Sequence, residues 1–400
     1  MHQSMAKRIL QIGSFFWPNL VGGAEACTRE LANRLEAAGD HVVGLTSSIN
    51  NPTKTEGVTY FRTGRWVQSE KRLGRFEKYI FYIFEQLDVL TALKVLFAIA
   101  KMKPDLVIIH SWRGLGVWTP FAVGLSRVPA LFVLHDFSLV CFNKAARRQT
   151  VNCERRCLLC RISSLAYLPL LIRSKRVRFV APAEAHAREI ARLAGVRLGV
   201  ATIHNPNTYR MICRERKPED QIIFGYIGRL ERAKGFEIFL ALAKEFHGRA
   251  RFLVAGDGQL ASSARQAWKL KQIEYFGLVP ESEIASFFNR LDVLLVPSIW
   301  KENYPGVCVQ AMLSGLPVIG SNIGGIPEII TDKVTGFLLP ADDVTAWQCK
   351  LSELVISPEI VSVLSSRAIA DRLRFDADVN FKKYQDFIDG MLLDSRENSR

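Results

Sequence analysis

Short apolar runs alternating with helix-patterned stretches constrain this 400-residue chain more than any other feature, and they do so twice over. In the first half the runs fall at 8–12, 41–46, 106–110, 130–135 and 178–181; between the first two, Ala24, Cys27, Leu31 and Leu35 repeat at three- and four-residue spacing. Such spacing gives a helix one apolar face, whereas short continuous runs read as strands buried on both sides. The rhythm returns at 222–227, 252–255, 293–296 and 317–319. Strand and helix in alternation fold as parallel sheets covered on both faces, so the expected fold is α/β with two Rossmann-like domains. The break falls just after His204–Asn207, in the polar stretch 209–220, where Arg214, Glu215, Arg216, Lys217, Pro218, Glu219 and Asp220 read as a linker. The domains are then 1–208, carrying a cysteine-rich insert at 141–160, and 221–372.

Length and composition agree with this division. Four hundred residues exceed one ordinary core, and 48% hydrophobic with 23% charged residues is the make-up of a folded, globular chain. No apolar run reaches the ~20 residues that a spanning helix needs; the best candidate, 79–100, is broken by Glu85, Asp88 and Lys94. Lys7 and Arg8 precede only four apolar-patterned positions before Gly13, which does not read as a signal peptide, so a cytoplasmic protein is expected. Neither half opens with the GxGxxG turn of a dinucleotide-binding dehydrogenase.

Three segments of the second half carry chemistry: GRLERAKG at 228–235, ENYPGVCVQA at 302–311 and GGIPE at 324–328. A sugar joined to a diphosphate leaves negative charge on the phosphate as the bond breaks, and a catalyst must meet that charge with fixed positive charge. Arg229 offers a planar fork and Lys234 a mobile point charge. A helix opening near Gly235 would turn its free N–H groups to the same anion. Glu302 and Gln310 stand eight apart, and a helix starting near Gly306 holds their backbones up to ~12 Å apart. That exceeds the ~5–9.5 Å between paired glycosidase carboxyls, so the two suit opposite ends of an extended ligand. Solvated charges in a turn and a plain helix surface remain the simpler reading of these four residues taken one by one.

In the first half Gly22 and Gly23 follow a strand and precede a helix, where bare backbone can approach an anion or a sugar. His135 closes the strand LFVLH ahead of Asp136, and ligands of open α/β sheets bind beyond the carboxyl ends of the strands. A permissive loop and a structural histidine are the alternatives. Two such sheets facing one another would enclose an interdomain cleft.

Taken together, in this order, the motifs resemble those of retaining glycosyltransferases of family 4, of the two-Rossmann-domain type called GT-B, in which Arg-x4-Lys precedes Glu-x7-Glu. The similarity runs from Gly22 and Gly23 to the last helix and is most specific between Phe224 and Pro340. The resemblance implies a nucleotide diphosphate sugar donor, UDP- or GDP-linked, and a glycan or lipid-linked acceptor of cell-surface polysaccharide synthesis. It implies that Arg229 and Lys234 bind the diphosphate, that Glu302 lies beside the transferred sugar and that His135 touches that sugar. Gly22, Gly23, Asn303, Tyr304, Pro305, Gly306, Val307 and Gln310 complete the implied donor site, the first domain takes the acceptor side, and a helix in 373–400 returns to it. In the family a departing phosphate oxygen takes the acceptor proton, so neither a general base nor a catalytic metal is required. Asp376 and Asp378, in DAD, are accordingly read as helix caps and not as a metal pair. Gln310 departs from the pattern, which has a second Glu there; its carbonyl still accepts from a ribose hydroxyl, but a charge-assisted bond is roughly twice as strong, so weaker donor binding with intact chemistry is expected. A sugar-nucleotide epimerase and a non-catalytic sugar-binding relative are the competing functions.

The net charge of +14 is concentrated: residues 1–200 hold 29 Lys and Arg against 14 Asp and Glu, residues 201–400 hold 24 against 25. Basic residues mix with aromatic and apolar ones at 62–84 and 165–178, a composition suited to an anionic inner-membrane face carrying a lipid-linked acceptor, or to general solubility. No nucleic-acid module accompanies the charge, so nucleic acid is not an expected partner. Four of the eight cysteines cluster as Cys141, Cys153, Cys157 and Cys160, amid Lys144, Arg147, Arg148, Arg155, Arg156 and Arg161. Structural zinc, an iron–sulfur cluster and unligated thiols all fit that spacing.

Overall fold

A computed structural model of the chain describes residues 6–13, 23–46, 54–55, 58–62, 83–112, 114–148, 151–207, 209 and 221–397. It divides into two units: the first comprises Met1–Ala146, Cys153–Thr208 and Ala377–Arg400, the second Arg147–Asn152 and Tyr209–Asp376. The linker at 209–220 lies outside the described residues apart from Tyr209 and its margin.

The strands of the first unit are β1 (Arg8–Gly13), β2 (His41–Thr46), β3 (Lys54–Thr55), β4 (Val58–Arg62), β5 (Leu106–Ile109), β6 (Ala130–Val133), β9 (Val177–Ala181) and β10 (Val200–Thr202), while β7 (Arg147–Arg148) and β8 (Val151–Asn152), in the segment grouped with the second unit, form a separate antiparallel pair. They order as β10-β9-β6-β5-β1-β2-β4-β3, all parallel except the short edge strand β3. Successive residues of β1, β5 and β6 bury on opposite faces. Leu10, Ile12, Val107, Ile109 and Phe132 join one core, while Ile9, Leu106, Ile108, Leu131 and Val133 join the other. This two-sided burial makes each run continuously apolar.

The second face is covered by helix Gly23–Ala37 and by the C-terminal helix Ala377–Glu397, which lays Tyr384, Ile388 and Met391 against it at helical spacing. Each of those three side chains, once buried, is worth about 1.5–3 kcal/mol. The ion pairs Lys7–Asp389 and Arg178–Asp394, both 3.2 Å, sit at the rim, where such pairs contribute little. The apolar stripe therefore fixes this helix on the first unit. Helix Gly23–Ala37 buries Thr28, Leu31, Ala32 and Leu35, so its inner face is rotated from the expected Ala24, Cys27, Leu31, Leu35 series.

The second unit carries β11 (Ile223–Ile227), β12 (Arg251–Ala255), β13 (Glu274–Tyr275), β14 (Val293–Val296), β15 (Val318–Ser321) and β16 (Gly336–Leu339), all parallel, in the order β13-β12-β11-β14-β15-β16. Counted within the unit this is the 3-2-1-4-5-6 order of a Rossmann sheet, and the first unit repeats it with β1 as its first strand. The chain winds outward from β11 in one direction and then returns to wind in the other. The switch falls between β11 and β14 here, and between β1 and β5 in the first unit. A phenylalanine-rich core, with Phe224, Phe236, Phe239 and Phe252, closes one face of this sheet, and Met312, Phe287 and Phe288 belong to the core on the other.

Candidate active site

At the switch point of the second unit the backbone is forced into one conformation by glycine. After β11 the chain passes through Arg229 into a single 3-10 turn, Arg232–Lys234, and leaves it at Gly235 with φ +70°. A Cβ at Gly235 would stand 1.6 Å from the Pro297 carbonyl oxygen, so only glycine lets this turn lie against the segment after β14. The Ile299 amide donates to Ala233 O at 3.1 Å and completes the junction.

That junction delivers Lys234 to Glu302, 68 positions later. The Lys234 ammonium donates to both carboxylate oxygens, at 2.6 and 2.8 Å, and lies 4.9 Å from the centre of the Trp300 ring. Ser298 Oγ, itself buried, donates to Glu302 Oε1 at 2.7 Å. Glu302 is only 5% exposed. Burial alone would push its carboxyl up, but the charge and hydrogen bond of Lys234, aided by Ser298 and Trp300, outweigh it and hold the group below the ordinary carboxylate range. The site therefore keeps a buried, ionised carboxylate. An ionised carboxylate donates no proton, so it suits support of positive charge developing on a sugar and not general-acid catalysis.

The GGIPE segment locks the same residue from behind. Gly324 has φ +61°, a Cβ on it would stand 2.3 Å from Glu302 O, and the Gly325 amide donates to that oxygen at 2.7 Å. Helix Gly306–Leu313 begins four residues after Glu302. Asn303 and Tyr304 before it and Val307 and Gln310 on it are half-buried, and Pro305 is buried. Tyr304 and Val307 rest on the core, and Gly306 leaves room for the Tyr209 hydroxyl, to which a Cβ would come within 2.5 Å. Arg229 is more open: its side chain is 63% exposed and its guanidinium pairs with Glu231 at 2.9 Å. Of the two expected cations, Lys234 is the one joined to Glu302.

The switch point of the first unit holds three polar side chains in series. Gln11, in the middle of β1, is fully buried and its amide nitrogen donates to Thr28 O at 3.2 Å. The same nitrogen lies 2.8 Å from His110 Nε2, and His110 Nδ1 lies 2.9 Å from His135 Nε2, with the two rings nearly parallel at 13°. Thr28 O fixes the orientation of the amide, so His110 Nε2 accepts, His110 Nδ1–H donates, and His135 is left carrying its proton on Nδ1. Burial holds both imidazoles neutral, lowering His135 to about 4 against the weaker pull of Asp136 and lowering His110 well below its ordinary value, with help from His135. Gly23 opens helix Gly23–Ala37, whereas Gly22 lies outside the described residues.

The sequence reading missed Ser298, Trp300, Gln11 and His110. Gln11 did leave a signal: it is the one polar residue inside the apolar run ILQIG.

Residues 21–207 match the family model described as Glycosyltransferase Family 4, and residues 211–371 match the one described as Glycosyl transferases group 1. The chain is 32% identical over 133 residues to an uncharacterized 41.2 kDa protein of the cps region of Klebsiella pneumoniae, covering 33% of this chain and 36% of that protein. It is 29% identical over 171 residues to the 2-deoxystreptamine N-acetyl-D-glucosaminyltransferase of Streptomyces fradiae, covering 40% of each. These matches span well under half the length of the curated relatives. Among solved structures the fold resembles HepE of Anabaena in complex with UDP (TM-score 0.71, 18% identity, 96% of this chain and 100% of that one). It also resembles a sucrose-phosphate synthase of Thermosynechococcus elongatus (TM-score 0.78, 18% identity, 97% and 99%). Two Rossmann-like units of this order define the two-domain α/β fold called GT-B. Within that class, the chain belongs to the family 4-like glycosyltransferases.

Proposed function

We propose that this glycosyltransferase moves a hexose-like sugar from a nucleotide diphosphate donor, UDP- or GDP-linked, to a glycan or lipid-linked acceptor with retention of configuration. The observation that carries the proposal is the Lys234–Glu302–Ser298 arrangement at the switch point of the second sheet. There an ionised carboxylate and a cation sit side by side at the place where open α/β sheets hold ligands. Arg229 and Lys234 meet the charge that gathers on the departing diphosphate, and Glu302 supports the positive charge that grows on the sugar ring. The phosphate oxygen that leaves takes the acceptor proton. His135 offers a sugar hydroxyl a neutral imidazole whose tautomer is set by His110 and Gln11. Side chains supply the positive charge in this scheme, so turnover should persist in excess chelator. HepE, a structural neighbour, is solved with UDP and with UDP-glucose, which favours a nucleotide-sugar donor for this chain.

Incubation with a panel of UDP- and GDP-sugars, reading nucleoside diphosphate release, tests the reading. At least one donor should turn over, and Glu302→Gln should slow it by roughly 10²-fold or more while leaving nucleoside diphosphate binding intact. Isomerised donor in place of release would move the protein to the epimerases, and binding without turnover would make it a sugar-binding relative. Product of inverted configuration would remove the retaining mechanism.

A membrane-presented acceptor is favoured by a second observation. Among the described residues of the first unit, Ile83, Phe84, Leu87, Leu90, Leu93 and Phe97 are each 55% or more exposed, and Leu158, Leu159, Ile162 and Leu165 are each at least half exposed. Glu85 and Gln86 line the same pocket as Ser163 and Tyr167, so the two apolar ridges flank one depression. Exposed Lys94, Lys101, Arg155 and Arg161 lie along the same segments. Apolar side chains bordered by cations are the signature of an anionic bilayer surface. No described helix is long and apolar enough to cross a membrane. Most of the expected basic stretch 62–84 lies outside the described residues. Sedimentation with anionic and with zwitterionic vesicles checks this part: equal binding to both, unaffected by salt, would end it.

A further inference from the structure

The cysteine-rich insert assembles a group that glycosyl transfer does not use. Cys160 Sγ lies 3.5 Å from Cys157 Sγ and 3.9 Å from Cys141 Sγ, although Cys141 is 19 positions away. Cys153 follows the β7–β8 hairpin and is returned to the same turn by its amide, which donates to Ala146 O at 2.7 Å. None of these thiols is in a disulfide.

We propose that Cys141, Cys153, Cys157 and Cys160 form a structural zinc site. A zinc ion bound by thiolates at ~2.3 Å in a tetrahedron sets its sulfurs ~3.8 Å apart, and the two observed separations bracket that edge. Sulfurs around an iron–sulfur cluster stand farther apart, because the cluster itself fills the space between them. The sulfurs at present form a chain through Cys160 and not a closed shell, and among the described residues no three His, Cys, Asp or Glu already surround one point. Binding the ion would require Cys153 and Cys157 to join Cys141 and Cys160 around a single point.

Four further observations suit a metal. Cys157 caps helix Leu158–Leu165 and Cys160 sits in its first turn, so a C-x2-C pair is presented from one rigid element. The Phe142 amide donates to Cys160 Sγ at 3.4 Å, the kind of backbone support that sulfur ligands receive. Lys144 and Ala146 both hold left-handed backbone, φ +54° and +49°, within five residues of Cys141. Strained non-glycine residues persist where the surroundings over-determine them, and a metal cross-link would do so. Four thiolates around Zn²⁺ leave two negative charges, and Lys144, Arg155, Arg156 and Arg161 stand in the same segment to balance them. The bound ion would tie the turn at 141–146 to the helix that displays Leu158, Leu159, Ile162 and Leu165.

The test uses the full chain purified without chelator or added metal. Elemental analysis should find one zinc per chain, cobalt exchanged into the site should show thiolate charge-transfer absorption with tetrahedral ligand-field bands, and the four thiols should react with a thiol reagent only after chelation. Cys157→Ser with Cys160→Ser should reduce bound zinc at least tenfold, whereas Cys349→Ser at an exposed position should not. Where the double variant fails to fold, chelator-driven zinc release from the unaltered chain keeps the test decisive. A folded, metal-free chain whose four thiols react at once, stoichiometric iron, or disulfides in place of thiols would overturn the proposal.

Discussion

Removing the ammonium from the Lys234–Glu302 pair should cost more stability than removing both charges. Lys234→Met leaves Glu302 buried without its cation, and breaking a buried pair from one side typically costs about 3–5 kcal/mol. The Lys234 side chain is 22% exposed against 6% for Glu302, which places this case near the lower end, about 3 kcal/mol. For a unit of this size that lowers the melting temperature by roughly 6–12 °C. The loss must also depend on pH. In the unaltered protein the Glu302 carboxyl is depressed, so its contribution is fully present above the unfolded value and is lost as pH falls through the folded one. Without Lys234 the dominant influence is burial, which raises the carboxyl; the folded variant then binds more protons than the unfolded chain, and its stability falls as pH rises, by up to about 1.4 kcal/mol per pH unit. The gap between the two proteins should narrow steadily as pH falls and be widest near neutrality. Adding Glu302→Gln removes the stranded charge while its amide can still take the Ser298 hydrogen bond, and most of the loss should return. Urea unfolding of the four proteins of this cycle, across that pH range, reads all three effects. A double variant no more stable than Lys234→Met at neutral pH, or a gap that does not change with pH, would refute the electrostatic reading of the pair.

Three other outcomes are expected. Gln310→Glu should tighten donor binding about fivefold by calorimetry, since a charge-assisted bond gains about 1 kcal/mol over a neutral one; unchanged affinity would count against a ribose contact. Gly324→Ala should destabilise the second unit clearly more than Gly277→Ala, because both have left-handed backbone, at about 1–2 kcal/mol each, but only at Gly324 would the new Cβ meet Glu302. Equal losses in thermal melts would deny that the GGIPE loop holds Glu302 in place. Stability of the first unit should fall as pH drops from about 6.5 toward about 4, because His135 and His186 are both lowered to about 4 by burial and the unfolded chain takes up their protons first. Hydrogen exchange of β5 and β6 that is flat across this window would contradict it.

The strands legible in the sequence are those buried on both faces, because only they read as uninterrupted apolar runs. Val58–Arg62 was not read as a strand because Thr59 and Arg62 leave VTYFR neither a continuous apolar run nor a clean alternation, and Glu274–Tyr275 is a two-residue, half-buried edge. The inner face of helix Gly23–Ala37 was likewise not expressed by periodicity: Thr28 is buried, its hydroxyl donating to Ala24 O and its carbonyl accepting from Gln11. Lys234 and Glu302 were visible as residue types but not as partners, for their contact depends on Gly235 lying against Pro297, and neither glycine nor proline announces its neighbour. Arg229 was read on equal terms with Lys234, and nothing in its spacing separates an arginine that turns to Glu231 from a lysine that turns inward.

The two switch points show how topology and side chains divide the work. Sheet order alone decides where each site lies, since the reversal of winding opens the ends of β11 and β14, and of β1 and β5, to a ligand. What each site can do then follows from whether burial is opposed. At His110 and His135 no cation or carboxylate outweighs desolvation, so both rings stay neutral at physiological pH and the pair transmits a fixed tautomer. At Glu302 desolvation also disfavours the charge, yet Lys234 overrides it and the carboxylate stays charged. Burial thus yields a neutral hydrogen-bonding pair in one unit, where nothing opposes it, and a buried negative charge in the other, where Lys234 does. For the proposed transfer, which separates a positive sugar from a negative diphosphate, the second is useful only if Lys234 can serve both charges at once. Of its three ammonium hydrogens two are engaged by Glu302, so in the proposed transfer the third would take a phosphate oxygen while the carboxylate stays paired.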